Sequence, residues 1–137
     1  MIAYLDASVI LRIVFGEENP LAQWRSITHG VSSILAHVEC RRAVDRMRFQ
    51  PRHARFVASY RADLIEALEQ IELADISDSV IVYAAQPLPF AIRSLDAIHL
   101  ATALDWKRRN KKDLYFATHD DDLADAARHV GFEVIGA

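Results

Sequence analysis

Five short apolar runs separated by stretches of helical periodicity constrain the fold more than any other feature. The runs are residues 2–5, 31–33, 71–76, 114–118 and 132–135. Strands joined through helices cannot pair as hairpins, so the pattern predicts a parallel sheet covered on both faces, an α/β fold. Helices are expected over residues 8–15 (stopped by Gly16), from Pro20 to a stop near Gly30, and over 34–49. Further ones are expected over 51–70, from a Ser77 or Asp78 cap to before Pro87, over 95–109 behind a Ser94 cap, and over 121–130 to Gly131. In such sheets ligands bind beyond the carboxyl ends of the strands. Asp6 and Asp120 each fall just past such an end.

The chain has 137 residues, 52% of them hydrophobic, enough for one domain with a real core. No apolar run reaches the roughly 20 residues that span a bilayer. The opening Met1-Ile2-Ala3-Tyr4-Leu5-Asp6 lacks the basic start of a signal peptide. Cys40 is the sole cysteine, which excludes an internal disulfide and suits a cytoplasmic location. The net charge of −3 argues weakly against nucleic-acid binding. It conceals a basic stretch holding Arg41, Arg42, Arg46, Arg48, Arg52, Arg55 and Arg61, and another at Lys107, Arg108, Arg109, Lys111 and Lys112. Either could face phosphates or be a solvated helix face.

Most acids, including Glu17, Glu18, Glu66, Glu69, Asp105 and Asp113, fit a solvated surface. Three do not. Asp6 separates two apolar runs, Glu39 shares a helical row with Leu35, Ala43 and Met47, and Asp96 shares one with Leu100, Ala103 and Leu104. A carboxylate in an apolar setting is costly unless paired or bound to metal. Two of them at about 4 Å repel by about 4 kcal/mol at an effective dielectric near 20. A hard divalent cation held by oxygen ligands relieves both costs and can generate a nucleophile from water. The local alternatives are that Asp6 caps the helix after it, Glu39 pairs with Arg42 or Arg46, and Asp96 complements a helix dipole. One of Asp120, Asp121 and Asp122 is expected to be an ordinary N-cap.

Four segments resemble the PIN domain family and, within it, the VapC toxins of toxin–antitoxin pairs. Ala3-Tyr4-Leu5-Asp6-Ala7-Ser8 resembles its opening strand with the first metal-binding acid, and Ser32 to Glu39 is similar to the segment carrying its glutamate. Leu95-Asp96-Ala97-Ile98-His99-Leu100-Ala101-Thr102-Ala103 matches the third segment, and Ala117-Thr118-His119-Asp120 with Leu123, Ala126 and Ala127 the fourth. The matches run in order over nearly the whole chain.

The resemblance implies a single PIN domain over residues 1–137, a three-layer α/β/α sandwich with a central parallel sheet. It implies endonucleolytic RNA cleavage using Mg²⁺, with Mn²⁺ as alternative, held by Asp6, Glu39, Asp96 and Asp120. Ser8 and Thr118 would support these ligands, and Asp121 could share or take over the fourth role. The implied partners are RNA, a small VapB-like antitoxin that fills the groove, and a second copy in a homodimer.

His99 lies one turn from Asp96 and fits a core or supporting histidine better than a phosphate contact. Cys40 fits a small core residue. Trp24, Phe49, Phe56 and Tyr60 could stack on bases, though packing in the core or in a dimer or antitoxin groove is the commoner use. Aspartate-nucleophile phosphatases of the haloacid dehalogenase type also open with a strand and an Asp, but need an acid where Ser8 stands. A receiver-like domain would need a strand-end acceptor Asp and a late Lys that are not convincing here. A non-catalytic PIN module or a PIN nuclease that is not a toxin is the remaining alternative.

Overall fold

The computed structural model describes residues 1–137. Five parallel strands, β1 (Ile2–Leu5), β2 (His29–Ser33), β3 (Ile71–Ala74), β4 (Tyr115–Ala117) and β5 (Glu133–Ile135), lie in the order β3-β2-β1-β4-β5. The first strand is therefore central, with Tyr4 opposite Val31 on one side and Phe116 on the other. The helices are α1 (Ala7–Val14), α2 (Leu35–Arg46), α3 (Val57–Glu69), α4 (Asp78–Ala84), α5 (Ser94–Asn110) and α6 (Asp121–His129).

The period-two alternation of β1 builds two cores. Ala3 and Leu5 face one side, where they join Val9 and Ile10 of α1, Cys40 and Val44 of α2, and Leu64 and Leu68 of α3. Tyr4 faces the other, with Phe116 of β4, Leu100 and Trp106 of α5, and Leu123 and Ala127 of α6. The result is the expected α/β/α sandwich. A strand buried on both faces must be apolar along its length, and Ala3, Tyr4 and Leu5 are all at most 1% exposed.

Several local expectations are corrected. No α-helix follows Pro20: residues 17–28 form a connection with one 3-10 turn, Trp24–Ser26. Asn19 turns the chain there in the left-handed region (φ 54°), and Leu21 is drawn into the core. Gly30 ends no helix but sits inside β2, where a Cβ would stand 3.0 Å from Leu5 Cδ1. Its missing side chain gives Leu5 room. The 34–49 and 51–70 helices are shorter than expected, as α2 finishes in the 3-10 turn Met47–Phe49 and α3 follows another at Ala54–Phe56. Ser94 is the first residue of α5, with Arg93 in the capping position and no side-chain cap.

Asp105 is not on a solvated face. It is buried on α5, where Oδ1 accepts from Arg108 Nη2 (2.8 Å) and Ser79 Oγ (3.3 Å), and Oδ2 from Arg109 Nε (2.8 Å). Burial alone would raise its pKa, but these hydrogen bonds to two guanidinium groups outweigh it and hold the carboxyl below the usual range. A depressed folded-state pKa gives stability that is present above the unfolded value and lost as pH falls through the folded one. Asp105→Asn should therefore cost about 1–2 kcal/mol at pH 7, a gap that closes below about pH 4. Urea titrations of both proteins across that range check it.

Candidate active site

Each acid is delivered to one sheet edge by a different element. Asp6 leaves β1 and occupies the N-cap position of α1 with extended backbone, but its side chain makes no capping bond. Its backbone N–H instead donates to Ala117 O (3.0 Å), which continues the β1–β4 ladder. The carboxylate is 6% exposed, and Oδ2 accepts from Ser8 Oγ (2.6 Å) and Thr118 Oγ1 (3.0 Å). These hydroxyls are themselves held, Ser8 Oγ accepting from the His119 N–H (3.1 Å) and Thr118 Oγ1 from the Asp120 N–H (3.0 Å). Asp6 thus ties the β1–α1 corner to the β4–α6 corner. That is why Ser8 and Thr118 are found beside it.

Glu39 projects from the second turn of α2. It pairs with neither Arg42 nor Arg46; Oε1 accepts from His99 Nε2 at 2.5 Å. His99 is fully buried on α5, and its Nδ1 is hydrogen-bonded to the equally buried Tyr4 hydroxyl (2.6 Å). Since a carboxylate only accepts, Nε2 carries a proton in this arrangement. The same nitrogen lies 3.9 Å from Asp6 Oδ1, so the ring stands between two of the acids. Burial pushes the imidazole towards neutrality, but the Glu39 bond and the charges of Asp6, Glu39 and Asp96 outweigh it, and its pKa is raised.

Asp96 lies in the first turn of α5, and Asp120 caps α6, Oδ1 accepting from the Leu123 N–H (2.8 Å). Glu39, Asp96 and Asp120 line one open groove of about 550 Å³ with Ile92, Arg93, Ser94 and Leu95. Burial, then the charges of Asp6 and Asp120, raise the Asp96 pKa, against the weaker pull of His99 and Arg93. Asp96 therefore feels the charge of the acids delivered by the β1–α1 and β4–α6 corners. Asp121 is exposed on the first turn of α6 and does not line the groove.

Cys40 has a packing role. Cys40 is buried, and burial with the nearby Glu39 and Asp6 charges pushes its thiol up to about 12, so it holds its proton. Two groups at the site were not singled out from the sequence. Tyr4 reads there only as a core residue, since nothing in an apolar strand marks where its hydroxyl ends. Arg93 stands three residues before Asp96, and that spacing across a helix start was its one legible signal.

The all-oxygen set is of the type that holds a hard divalent cation. No three of the His, Cys, Asp and Glu side chains stand close enough to enclose an ion by themselves. Three carboxylates are already engaged, Asp6 by two hydroxyls, Glu39 by His99 and Asp120 by the Leu123 N–H.

The PIN domain sequence profile matches residues 3–129. Ribonuclease VapC46 of Mycobacterium tuberculosis (strain ATCC 25618 / H37Rv) is 35% identical over 137 residues, covering 96% of this chain and 95% of that protein. Ribonuclease VapC47 of Mycobacterium tuberculosis (strain CDC 1551 / Oshkosh) is 30% identical over 138 residues, covering 94% and 92%. The parallel sheet between two helical layers and the similarity along the full chain agree. This chain belongs to the PIN domain family.

Proposed function

We propose that the protein is a metal-dependent endoribonuclease, the VapC-type toxin of a type II toxin–antitoxin pair, with residues 1–137 as one PIN domain. The observation that carries the reading is the gathering of Glu39, Asp96 and Asp120 along one groove, with Asp6 buried behind it 3.9 Å from the His99 Nε2 that bonds Glu39. The full-length likeness to two proteins named ribonucleases supports RNA as the substrate.

The donor chemistry fits Mg²⁺, or Mn²⁺ as alternative, binding with retained water ligands, as expected where no three acids enclose an ion unaided. A divalent ion in this groove supplies Lewis acidity to a phosphodiester and lowers the pKa of water. Asp6, Glu39, Asp96 and Asp120 would be its protein ligands. Ser8 and Thr118 fix the orientation of the Asp6 carboxylate through Oδ2, leaving Oδ1 towards His99 and the site. Tyr4 and His99 orient Glu39 and keep water from beneath it. Arg93 places a positive charge at the rim, where a substrate phosphate can meet it.

A VapB-like antitoxin is the expected partner. Its basic side chain in this groove would answer the same negative field. A homodimer and a cytoplasmic location complete the proposal; no helix is long and apolar enough to cross a membrane.

Three outcomes follow. Discrete cuts in a pool of structured RNAs should require Mg²⁺ or Mn²⁺, disappear with chelator, and fall at least a hundredfold in Asp6→Asn and in Asp96→Asn. Metal-dependent cutting retained in full by either variant would refute the assignment. In chelator at pH 7, Asp96→Asn should melt higher than wild type. Its raised pKa means that the native contribution is present at low pH and lost as pH rises through the shifted value. The difference should therefore close towards pH 4, and added Mn²⁺ should raise the wild-type midpoint more than the variant's, as calorimetric melts would show. Finally, His99→Asn should weaken Mn²⁺ binding about tenfold or more by titration calorimetry while native circular dichroism is kept.

A further inference from the structure

The basic stretch has become a distinct surface beside the groove. Residues 41–63 carry seven arginines against Asp45 and Asp63, a formal +5 in a chain of net charge −3. Arg42 and Arg46 stand three and seven residues beyond Glu39 on the same side of α2. The seven residues from Glu39 to Arg46 span roughly 10 Å, so the first unpaired arginine on that side stands about two turns from Glu39. Asp45 gathers Arg42, Arg48 and Arg61, whereas Arg41, Arg46, Arg52 and Arg55 have no ion-pair partner.

Two aromatic rings lie in the turns that follow. Phe49, at the end of one 3-10 turn, is 73% exposed, and Phe56, at the end of the next, is 41% exposed. Arg48 lies over the first ring at 4.6 Å and Arg55 over the second at 4.7 Å. Phe56 also touches Tyr60, while the Phe49 ring is held mainly in solvent. Exposed rings among unpaired guanidinium groups suit a chain with a π-face and a charged phosphate at every step. An apolar partner helix would instead leave four unpaired arginines facing it, at a desolvation cost.

From this charge and aromatic complementarity we infer that the α2–α3 turn is a binding track for single-stranded RNA, which holds the strand leading into the active-site groove. The inference rests on the ribonuclease reading. Phosphates meet Arg46, Arg52 and Arg55, and a base stacks on Phe49 in place of, or beneath, the Arg48 guanidinium.

The test is fluorescence anisotropy with a labelled oligouridine of about 20 nucleotides, longer than one such site, in chelator so that nothing is cut. Wild type should bind with a steep salt dependence. Arg52→Gln/Arg55→Gln should bind about tenfold more weakly at low salt, with the log–log salt slope reduced by about 1 to 1.5. Phe49→Ala should weaken binding about tenfold with the slope unchanged. Unaltered melting of these exposed-residue variants separates lost contact from lost fold. Wild type that does not bind the oligomer, or variants that bind as wild type does, would overturn the track. So would variants that only convert a dimer to a monomer in size-exclusion chromatography, which would assign the face to a second copy. Patch-dependent binding without metal-dependent cutting would strike the nuclease reading and leave this track standing.

Discussion

The carboxylate of Asp6 sits in nearly complete burial at the end of the central strand, and the surrounding structure is arranged around keeping it there. Water cannot solvate it, so solvation comes from Ser8, two residues on, and from Thr118, 112 residues later in sequence. Both hydroxyls are pinned by backbone N–H groups of the β4–α6 corner. The corner that brings Thr118 is the corner that brings Asp120. One buried charge thereby fixes the relative placement of two of the four acids, and Ser32 adds a brace by donating to Leu5 O at the same strand end (2.6 Å).

The opposite side of the groove uses a different device. Glu39 and His99 come from α2 and α5, which lie on opposite faces of the sheet and meet only beyond its edge. Their contact, backed by Tyr4 from the strand between them, closes a line of three side chains from three elements. The sandwich therefore meets the cost of burying polar atoms with partners on the other layers, the usual condition for tolerating them. At the mouth, burial and then the charges of Asp6 and Asp120 raise the Asp96 pKa. Charge of the other sign is exported to the α2–α3 turn, so one molecule holds an acidic groove and a basic rim within about two helical turns.

Much of this could be read in advance because it depends on local pattern. Alternating strand and helix signals specify a parallel α/β sheet, and a polar residue in an apolar row marks Asp6, Glu39 and Asp96 without any structure. Misplaced expectations came where a tertiary contact overrode a local signal. The Pro20 segment has a helix-start residue but spends its apolar Leu21 and Trp24 on the α1–α3 core, and Gly30 looked like a helix stop when its use was to spare space for Leu5. Asp105 reads in the sequence as one of the acids that fit a solvated surface, whereas α4 packs against α5 and Ser79 reaches this position.

By itself, then, the sequence marked Asp6, Glu39 and Asp96 as acids at odds with their apolar rows, and gave the chain order in which strands and helices deliver them. Those are properties of residue type and period, and no long-range information is needed to state them. Only the tertiary structure decided which partner meets each cost. It put Tyr4 and His99 behind Glu39, gave Asp120 rather than Asp121 to the groove, and turned scattered arginines into a surface with two exposed rings. Partners separated by up to 112 residues meet through sheet order, here β3-β2-β1-β4-β5, which sets who stands beside whom beyond the strand ends. Adjacency of that kind is a property of the assembled layers, and no residue carries it alone.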